Sequence, residues 1–402
     1  MNDHADSEIS SGTAQAQAQT LGRRNFLAAA GLTAAGAAWA ATGGVTAARA
    51  AQRPLGVGAG RTASAAAALA VPLDSVRHTR TWMAWPDSTA IYGKKLAGVQ
   101  ANIALIAKTI ATYEPVTVCA NAASVAKAQA ACGSSVTVIG TIPVDDCWMR
   151  DSGPVFRTNG SGGLDAIGLN FNGWGNQQTH AKDALVAGRV AAYLGVPFTA
   201  AGLVSEGGAI ETDGAGTLMA TKSSIIDPNR NPGKTQAQLE AAMTAAYGAS
   251  KVIWFTGISG QDITNDHVDA TSRFLAPGAG LVQTPNPADP ADIWSKDETQ
   301  QYNTLSSSTD AQGVAIKVTK LESPDYNKIR ATSADFVDSY ANYYVCNGAV
   351  ISAQFGDTTM DANAKAVLTG LFPGRTIEQI NIDNLGNEGG GIHCVTQPQP
   401  AP

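Results

Sequence analysis

The order of segments repeats along this chain, and the repeat limits its possible folds more than any other feature does. The clearest unit starts at GAIETDGAGTLMAT, two β-rich runs either side of Asp213-Gly214. That dipeptide favours a tight hairpin turn. Thr235 to Tyr247 follows with Leu239, Ala242 and Met243 at helical spacing, and KVIWF at 251–255 reads as a buried strand. The order recurs in ATSRFLAPGAGLVQT, turning at Pro277-Gly278, with a helix over Asp297–Leu305 and the strand VAIKVTK. It recurs in SYANYYVCNGAVISAQ, turning at Asn347-Gly348, with a helix over Asp361–Leu371 and a strand over Thr376–Ile382. Upstream, PVFRTNGSGGLDAIGLNF turns at Asn159-Gly160 and leads to a helix over Ala181–Leu194 and to VPFTAAG. The first unit has TWMAW, a helix carrying Leu96, Val99, Ile103, Ile106 and Ile110, and PVTVCA; the C-terminal run GIHCVTQ completes it. Units of this length bury their apolar faces against one another, so five of them suit radial stacking into an array whose ends pair. A single mixed α+β sheet is the competing architecture.

No Pro/Ser-rich linker breaks residues 73–396, so residues 73–397 read as one domain with a tail at 398–402. Ahead of it, LGRRNFL places Arg23 and Arg24 together before an Ala/Gly-rich stretch, and Ala48-Arg49-Ala50 resembles a cleavage site. Residues 1–50 therefore read as a twin-arginine export signal behind a polar leader, and 51–72 as a flexible Ala/Gly-rich segment. Alanine and glycine partition poorly into lipid, which argues against a membrane anchor. The implied partner is the twin-arginine translocase, and the implied location is outside the cytoplasm. A net charge of −6 excludes a general nucleic-acid surface. The five cysteines form no CxxC and the five histidines no HxxxH, so no metal site is expected. An odd thiol count in an exported chain leaves at least one thiol free to react.

Unusual polar clusters stand where the units begin. WMRDSGP carries Trp148, Arg150 and Asp151 before a strand; SEGGAIE carries Glu206 before Gly207 and Gly208; NDHVDA sets His267 and Asp269 two apart. On a strand that spacing puts both side chains on one face. GGGIHCVT sets Cys394 on the last strand behind Gly389, Gly390 and Gly391, where missing side chains let a ligand approach. Singly, each has an ordinary structural use: Asp151 as the partner of Arg150, Glu206 as a turn acid, His267 and Asp269 as a bonded pair, Cys394 as a buried thiol. Together they make a nucleophile, an acid/base and anionic clamps. Carboxylates bind a planar guanidinium in bidentate fashion. Its carbon is a poor electrophile that needs a thiolate, and a nearby cation lowers the thiol pKa.

The chain resembles the agmatine deiminase and bacterial-type peptidylarginine deiminase family of guanidine-modifying penteins. WMRDSGP, FNGWG, EGGAIETDGAGT, HVD, SYANYYVCNGAVI, QFGD and GGGIHC carry the resemblance, from Thr81 to Gln397. It implies a five-bladed pseudo-symmetric α/β propeller, the pentein fold. It implies Cys394 as nucleophile, His267 as acid/base, Glu206 as the acid orienting it, and Asp151 and Asp269 as guanidinium holders. Trp148 and Arg150 become substrate-side residues, and Gly207, Gly390 and Gly391 points of backbone approach. No cofactor is implied. The expected reaction is deimination of agmatine to N-carbamoylputrescine or of peptidyl-arginine to peptidyl-citrulline, through a covalent thiouronium. A free-arginine deiminase, an amidinotransferase and a non-catalytic binding protein are the alternatives. Asp266 and Ala270 flank His-x-Asp where many agmatine deiminases carry Gly and Asn, an arrangement closer to the bacterial peptidylarginine enzymes.

Replacing Arg23 and Arg24 by lysine should trap the precursor in the cytoplasm. Mass spectrometry of the exported protein should find a start near Ala51; finding residues 1–20 on it would refute the signal.

Overall fold

A computed structural model describes residues 68–402. The expected export signal, its expected cleavage point and most of the 51–72 segment lie outside the described residues. The chain is an α/β fold of five sheets among those residues. Strands β1 (His78–Ala84), β2 (Val116–Cys119) and β3 (Val136–Ile139) run parallel in the first sheet, and helices α1 (Leu96–Ile110) and α2 (Val125–Cys132) connect them. The other sheets share one plan, an antiparallel hairpin whose second strand pairs in parallel with a third beyond a helix. They are β4 (Val155–Thr158), β5 (Leu164–Gly168), α3 (Val186–Leu194), β6 (Phe198–Ala200); then β7 (Glu211–Thr212), β8 (Thr217–Thr221), α4 (Gln236–Tyr247), β9 (Lys251–Phe255). Next are β10 (Ser272–Ala276), β11 (Ala279–Thr284), α5 (Ile293–Ser306), β12 (Lys317–Glu322); and finally β13 (Tyr344–Cys346), β14 (Ala349–Gln354), α6 (Thr358–Leu371), β15 (Thr376–Asn381). The last strand, β16 (Gln397–Pro400), returns to pair antiparallel with β1.

Local chemistry explains these boundaries. The two residues between β13 and β14 are Asn347 and Gly348, and Gly348 has φ +86. Glycine takes that left-handed conformation without steric cost. Helix α4 starts with a capping box between Thr235 and Gln238 and stops at left-handed Gly248. Helix α5 starts four residues before the periodicity predicts, at Ile293, because Asp292 and Ser295 form a second capping box. Its buried face is partly polar: Ser272 Oγ donates to Gln301 at 2.6 Å, and Gln301 Nε2 to Asp297 at 2.6 Å. Apolar spacing therefore marks it poorly. Val99, Ile103, Ile106 and Ile110 of α1 are all fully buried, in one core with Val350 and Ile351 of β14. The first and fifth sheets thus share a core. No helix among the described residues is long and apolar enough to cross a membrane.

Some sequence expectations change. Ordered contacts begin before Leu73: Ala70 exchanges two backbone hydrogen bonds with Thr158, and Val71 N donates to Tyr247 O at 2.9 Å. Cys394 lies in a single helical turn, His393–Val395, just ahead of β16 instead of on a strand. His267 likewise precedes a helical turn, Val268–Ala270, so turn geometry and not strand alternation sets the relation of His267 to Asp269.

Residues 398–400 are also no tail. Pro398, Gln399 and Pro400 pair with Thr81, Arg80 and His78. Trp82 Nε1 donates to Gln399 Oε1 at 3.1 Å, and Ala401 N to Arg77 O at 2.8 Å. At about 1 kcal/mol net per hydrogen bond, deleting residues 398–402 should cost a few kcal/mol. A fall in the denaturant midpoint is expected; an unchanged midpoint would show the pairing to be dispensable.

Candidate active site

Cys394, His267, Asp151, Asp269 and Trp148 line one cavity of about 230 Å³. Trp148 and Asp151 arrive from one unit start, His267 and Asp269 from another, and Cys394 from the closing C-terminal run. The helical turn Met149–Ser152 before β4 presents Asp151, and both its oxygens are held. Gly208 N donates to Oδ1 at 3.1 Å and Trp174 Nε1 to Oδ2 at 2.9 Å. Trp174 donates from a left-handed backbone, φ +54, a conformation a bulky residue adopts only where its surroundings enforce it. Gly173 and Gly175 beside it have φ +68 and +81.

His267 follows two more left-handed residues, Asn265 at φ +59 and Asp266 at +69. Asp262 Oδ1 braces this loop by accepting from Thr264 N and Thr264 Oγ1, both at 2.6 Å, and Thr264 Oγ1 accepts from His267 N at 3.1 Å. Asp266 thus occupies a conformation suited to glycine, the residue many agmatine deiminases carry there. The imidazole has Glu206 Oε2 at 3.2 Å from Nε2 and Asp151 Oδ1 at 3.7 Å from Nδ1. Burial alone would lower its pKa, but Asp151 and Glu206 outweigh that and push it up to about 9. Burial drives Asp151 up to about 6 despite the opposing pull of His267. Glu206 is completely buried and sits behind His267, outside the cavity lining. Arg230 Nε donates to its two oxygens at 2.8 and 3.1 Å. Burial would raise Glu206, but Arg230 and His267 hold it below its ordinary value.

Asp269 is divided in function. Oδ2 accepts from His393 Nδ1 at 2.7 Å, whereas Oδ1 is buried without a protein hydrogen-bond partner. Burial opposes its charge, but His393 and His267 hold the carboxyl below the usual range. A buried carboxylate oxygen with no donor is a costly feature that a cationic ligand would relieve. Asn342 Nδ2 lies 3.3 Å from Cys394 Sγ. Burial, then the charges of Asp269 and Asp151, push the thiol pKa up. Cys119, Cys132, Cys147 and Cys346 are buried free thiols whose pKa burial also raises.

Arg150 is not brought to the cavity. Its guanidinium turns the other way, with Nη2 3.4 Å from Asp74 Oδ2 and Nε 3.4 Å from His393 O. The glycines also differ from expectation. A Cβ on Gly207 would meet Arg150 O at 2.2 Å, one on Gly390 the Trp148 ring at 2.1 Å, and one on Gly391 Asn342 Oδ1 at 2.3 Å. They admit neighbouring protein groups, not a ligand. Gly208 is the glycine facing the polar centre, where a Cβ would lie 2.8, 2.9 and 3.1 Å from His267, Asp151 and Asp269. Motif reading missed Gly208, Arg230 and Asn342, although EGGAIE, RNP and SYANYY contain them. Asp74, Glu211 and His393 offer ligand atoms within 4.8 Å of one another. Arg273 Nη2 at 3.0 Å from Asp74 and Arg273 Nε at 2.8 Å from Glu211 already neutralise those carboxylates, so a metal cation is unsuited to them.

Residues 70–400 match the family model of Porphyromonas-type peptidyl-arginine deiminases. The agmatine deiminase of Pseudomonas fluorescens is 34% identical, covering 83% of this chain and 95% of its own length. That of Medicago truncatula is 33% identical, covering 82% and 96%. The structure of Enterococcus faecalis agmatine deiminase superposes with a TM-score of 0.77 at 26% identity, covering 83% of this chain and 96% of its own.

Asp151 is the largest of the charges that raise His267. An opposite charge at such range moves a pKa by about 1–3 pH units, so Asp151→Asn should lower the His267 midpoint by that much in an NMR titration. The folded pKa of about 9 lies above the ordinary 6.5. His267's share of the charge–charge stabilisation is therefore lost as pH rises through about 9, and the pair weakens again on the acid side as Asp151 takes up its proton near 6. An unshifted His267 midpoint in Asp151→Asn would refute the pairing.

Proposed function

We propose, on the premise that the chain belongs to the Porphyromonas-type peptidyl-arginine deiminase family and is a hydrolase that deiminates guanidinium groups, that its substrate is agmatine and its product N-carbamoylputrescine. The observation carrying this reading is the acidity of the cavity. Its lining includes Asp146, Asp151, Asp262, Asp269, Asp335 and Glu388, and its lysine, Lys95, is paired with Glu388 at 2.7 Å. Agmatine is positive at both ends. Free arginine would bring its carboxylate into that lining with no unpaired lysine to receive it. A peptidyl-arginine substrate is the second reading, favoured by the export signal at Arg23-Arg24, since arginyl peptides occur outside the cell. We further propose that the five sheets close into a five-bladed propeller within one catalytic domain, a reading supported by the pairing of β16 with β1.

In this mechanism the guanidinium lies between Asp151 and Asp269, whose Oδ2 is 4.0 Å from Cys394 Sγ. The bound cation lowers the pKa of Cys394, and the thiol proton leaves to solvent. The thiolate attacks the guanidinium carbon, forming a C–S bond and a neutral tetrahedral adduct. His267, protonated in the resting site, gives its proton to one amino group; the C–N bond breaks and ammonia departs. A thiouronium remains on sulfur. Neutral His267 then takes a proton from water as its oxygen adds to the same carbon. The C–S bond breaks, the hydroxyl proton passes to the thiolate, and the ureido product leaves. Glu206 holds the imidazole throughout.

Agmatine, free arginine and an arginyl peptide, assayed side by side for ammonia and ureido product, decide the substrate. Agmatine should have the highest kcat/KM; a higher value for the peptide would replace it. Ureido product without an amine acceptor would exclude an amidinotransferase. Cys394→Ser should abolish turnover without unfolding the protein, and Asp269→Asn should cost about 2–5 kcal/mol in transition-state stabilisation. Substantial turnover by Cys394→Ser would overturn the mechanism.

A further inference from the structure

Asp74 belongs to no strand or helix and carries no sequence motif, yet three cationic or donor groups converge on it. His393 Nε2 lies 2.8 Å from Asp74 Oδ2, Arg273 Nη2 3.0 Å and Arg150 Nη2 3.4 Å. His393 is almost fully buried, and its other nitrogen, Nδ1, lies 2.7 Å from Asp269 Oδ2. The imidazole thus spans two carboxylates, each within hydrogen-bond distance of one ring nitrogen. Asp269 Oδ2, the oxygen His393 holds, is also the one 4.0 Å from Cys394 Sγ.

We infer that Asp74 is a positioning residue for the deimination site: through His393 it fixes the rotation of Asp269, and with it the presentation of that carboxylate to the guanidinium. This rests on the deiminase reading of the cavity. The segment bearing Asp74 is itself tied down, by Ala70 to Thr158, by Val71 to Tyr247 and by Arg77 to Ala401. A Cβ on Gly214 would strike Leu73 N at 2.5 Å, so the segment lies tightly over the β7–β8 turn. Only groups behind the cavity touch Asp74, which therefore acts on the substrate through another residue. The chain of contacts is short, charged and buried along most of its length, so a lost link leaves an ionised neighbour without its partner.

The test uses the full-length processed protein and two thiol reagents. Chloroacetamidine is a planar cation that imitates the substrate, and iodoacetamide is its neutral counterpart. The ratio of their rates at Cys394 reports the grip of the carboxylates and cancels changes in thiol exposure or acidity. Asp74→Ala should lower this ratio by about tenfold or more, as loss of an outer hydrogen-bond partner commonly does. Asp74→Asn, which keeps size and an acceptor, should lower it less, and it decides the matter if Asp74→Ala does not fold. In a His393→Asn background, Asp74→Ala should change nothing further, because its route to Asp269 is already cut. An unchanged ratio in both folded Asp74 variants overturns the inference. So does an Asp74 effect that persists undiminished in His393→Asn, which would route it through Arg150 or Arg273. A wild-type protein that does not prefer the cationic reagent would instead refute the deiminase reading itself.

Discussion

Behind the cavity lies a buried network of charges on which the arrangement of the units depends. Arg273, in β10, is about 1% exposed and reaches Glu211 in β7, Asp74 in the N-terminal segment, and the carbonyls of Ala341 and Tyr343 ahead of β13. Asp74 adds Arg150, ahead of β4, and His393, ahead of β16. Burial opposes the charge of Asp74, yet Arg150, His393 and Arg273 keep its carboxyl well below the usual range. A guanidinium this deep is tolerated only because its donors meet acceptors, and removing one partner leaves the others as uncompensated buried charges. Such a network is indifferent neither to register nor to neighbour. Arg150, Glu211, Arg273 and His393 must each reach the right depth, and the carbonyls ahead of β13 complete the set, so that groups from the units of all five sheets meet.

The polar centre trades backbone ease for side-chain placement. All five non-glycine residues with positive φ among the described residues, Asn170, Trp174, Asn176, Asn265 and Asp266, fall in the two loops that brace Asp151 and His267. Asx-type bonds from Asp262 and the indole bond from Trp174 to Asp151 offset that cost. Gln177 Nε2 joins the loops by donating to Ile263 O at 2.9 Å. Two carboxylates and an imidazole would otherwise have several rotamers and several protonation states to choose from. Held this way, the imidazole and the carboxylates keep fixed partners.

Much was legible in the linear order. Hairpin turns carry Gly and Asn where positive φ is needed, strands are short apolar runs, and the α1 stripe is regular, so the five units could be counted. Asp151, His267, Asp269 and Cys394 stand out because acids and a histidine cluster at unit starts and a thiol follows three glycines on the closing run. Helix α5 was harder to delimit because its inner face is polar, and β3 with α2 was missed because that unit has one strand more than the others. The strand assigned to GIHCVTQ shows the limit of local reading: the run is apolar enough for a strand, but the turn at His393–Val395 is set by packing against Asn342, whose carbonyl accepts from His393 N at 3.2 Å.

By itself the sequence determined the repeat, the family motifs and the set of reactive groups, because hydrophobic period and turn chemistry are local properties. Only the tertiary structure decided which way each group faces. Arg150 is adjacent in sequence to Asp151 yet turns to the opposite side, because successive residues of a helical turn point about 100° apart. Asp74 is separated from Asp269 by roughly half of the chain and is joined to it through one imidazole. Glu206 withdraws behind His267 because Arg230, 24 residues on, claims both its oxygens. Side-chain direction and long-range charge pairing arise only when distant segments meet, and no local pattern encodes them.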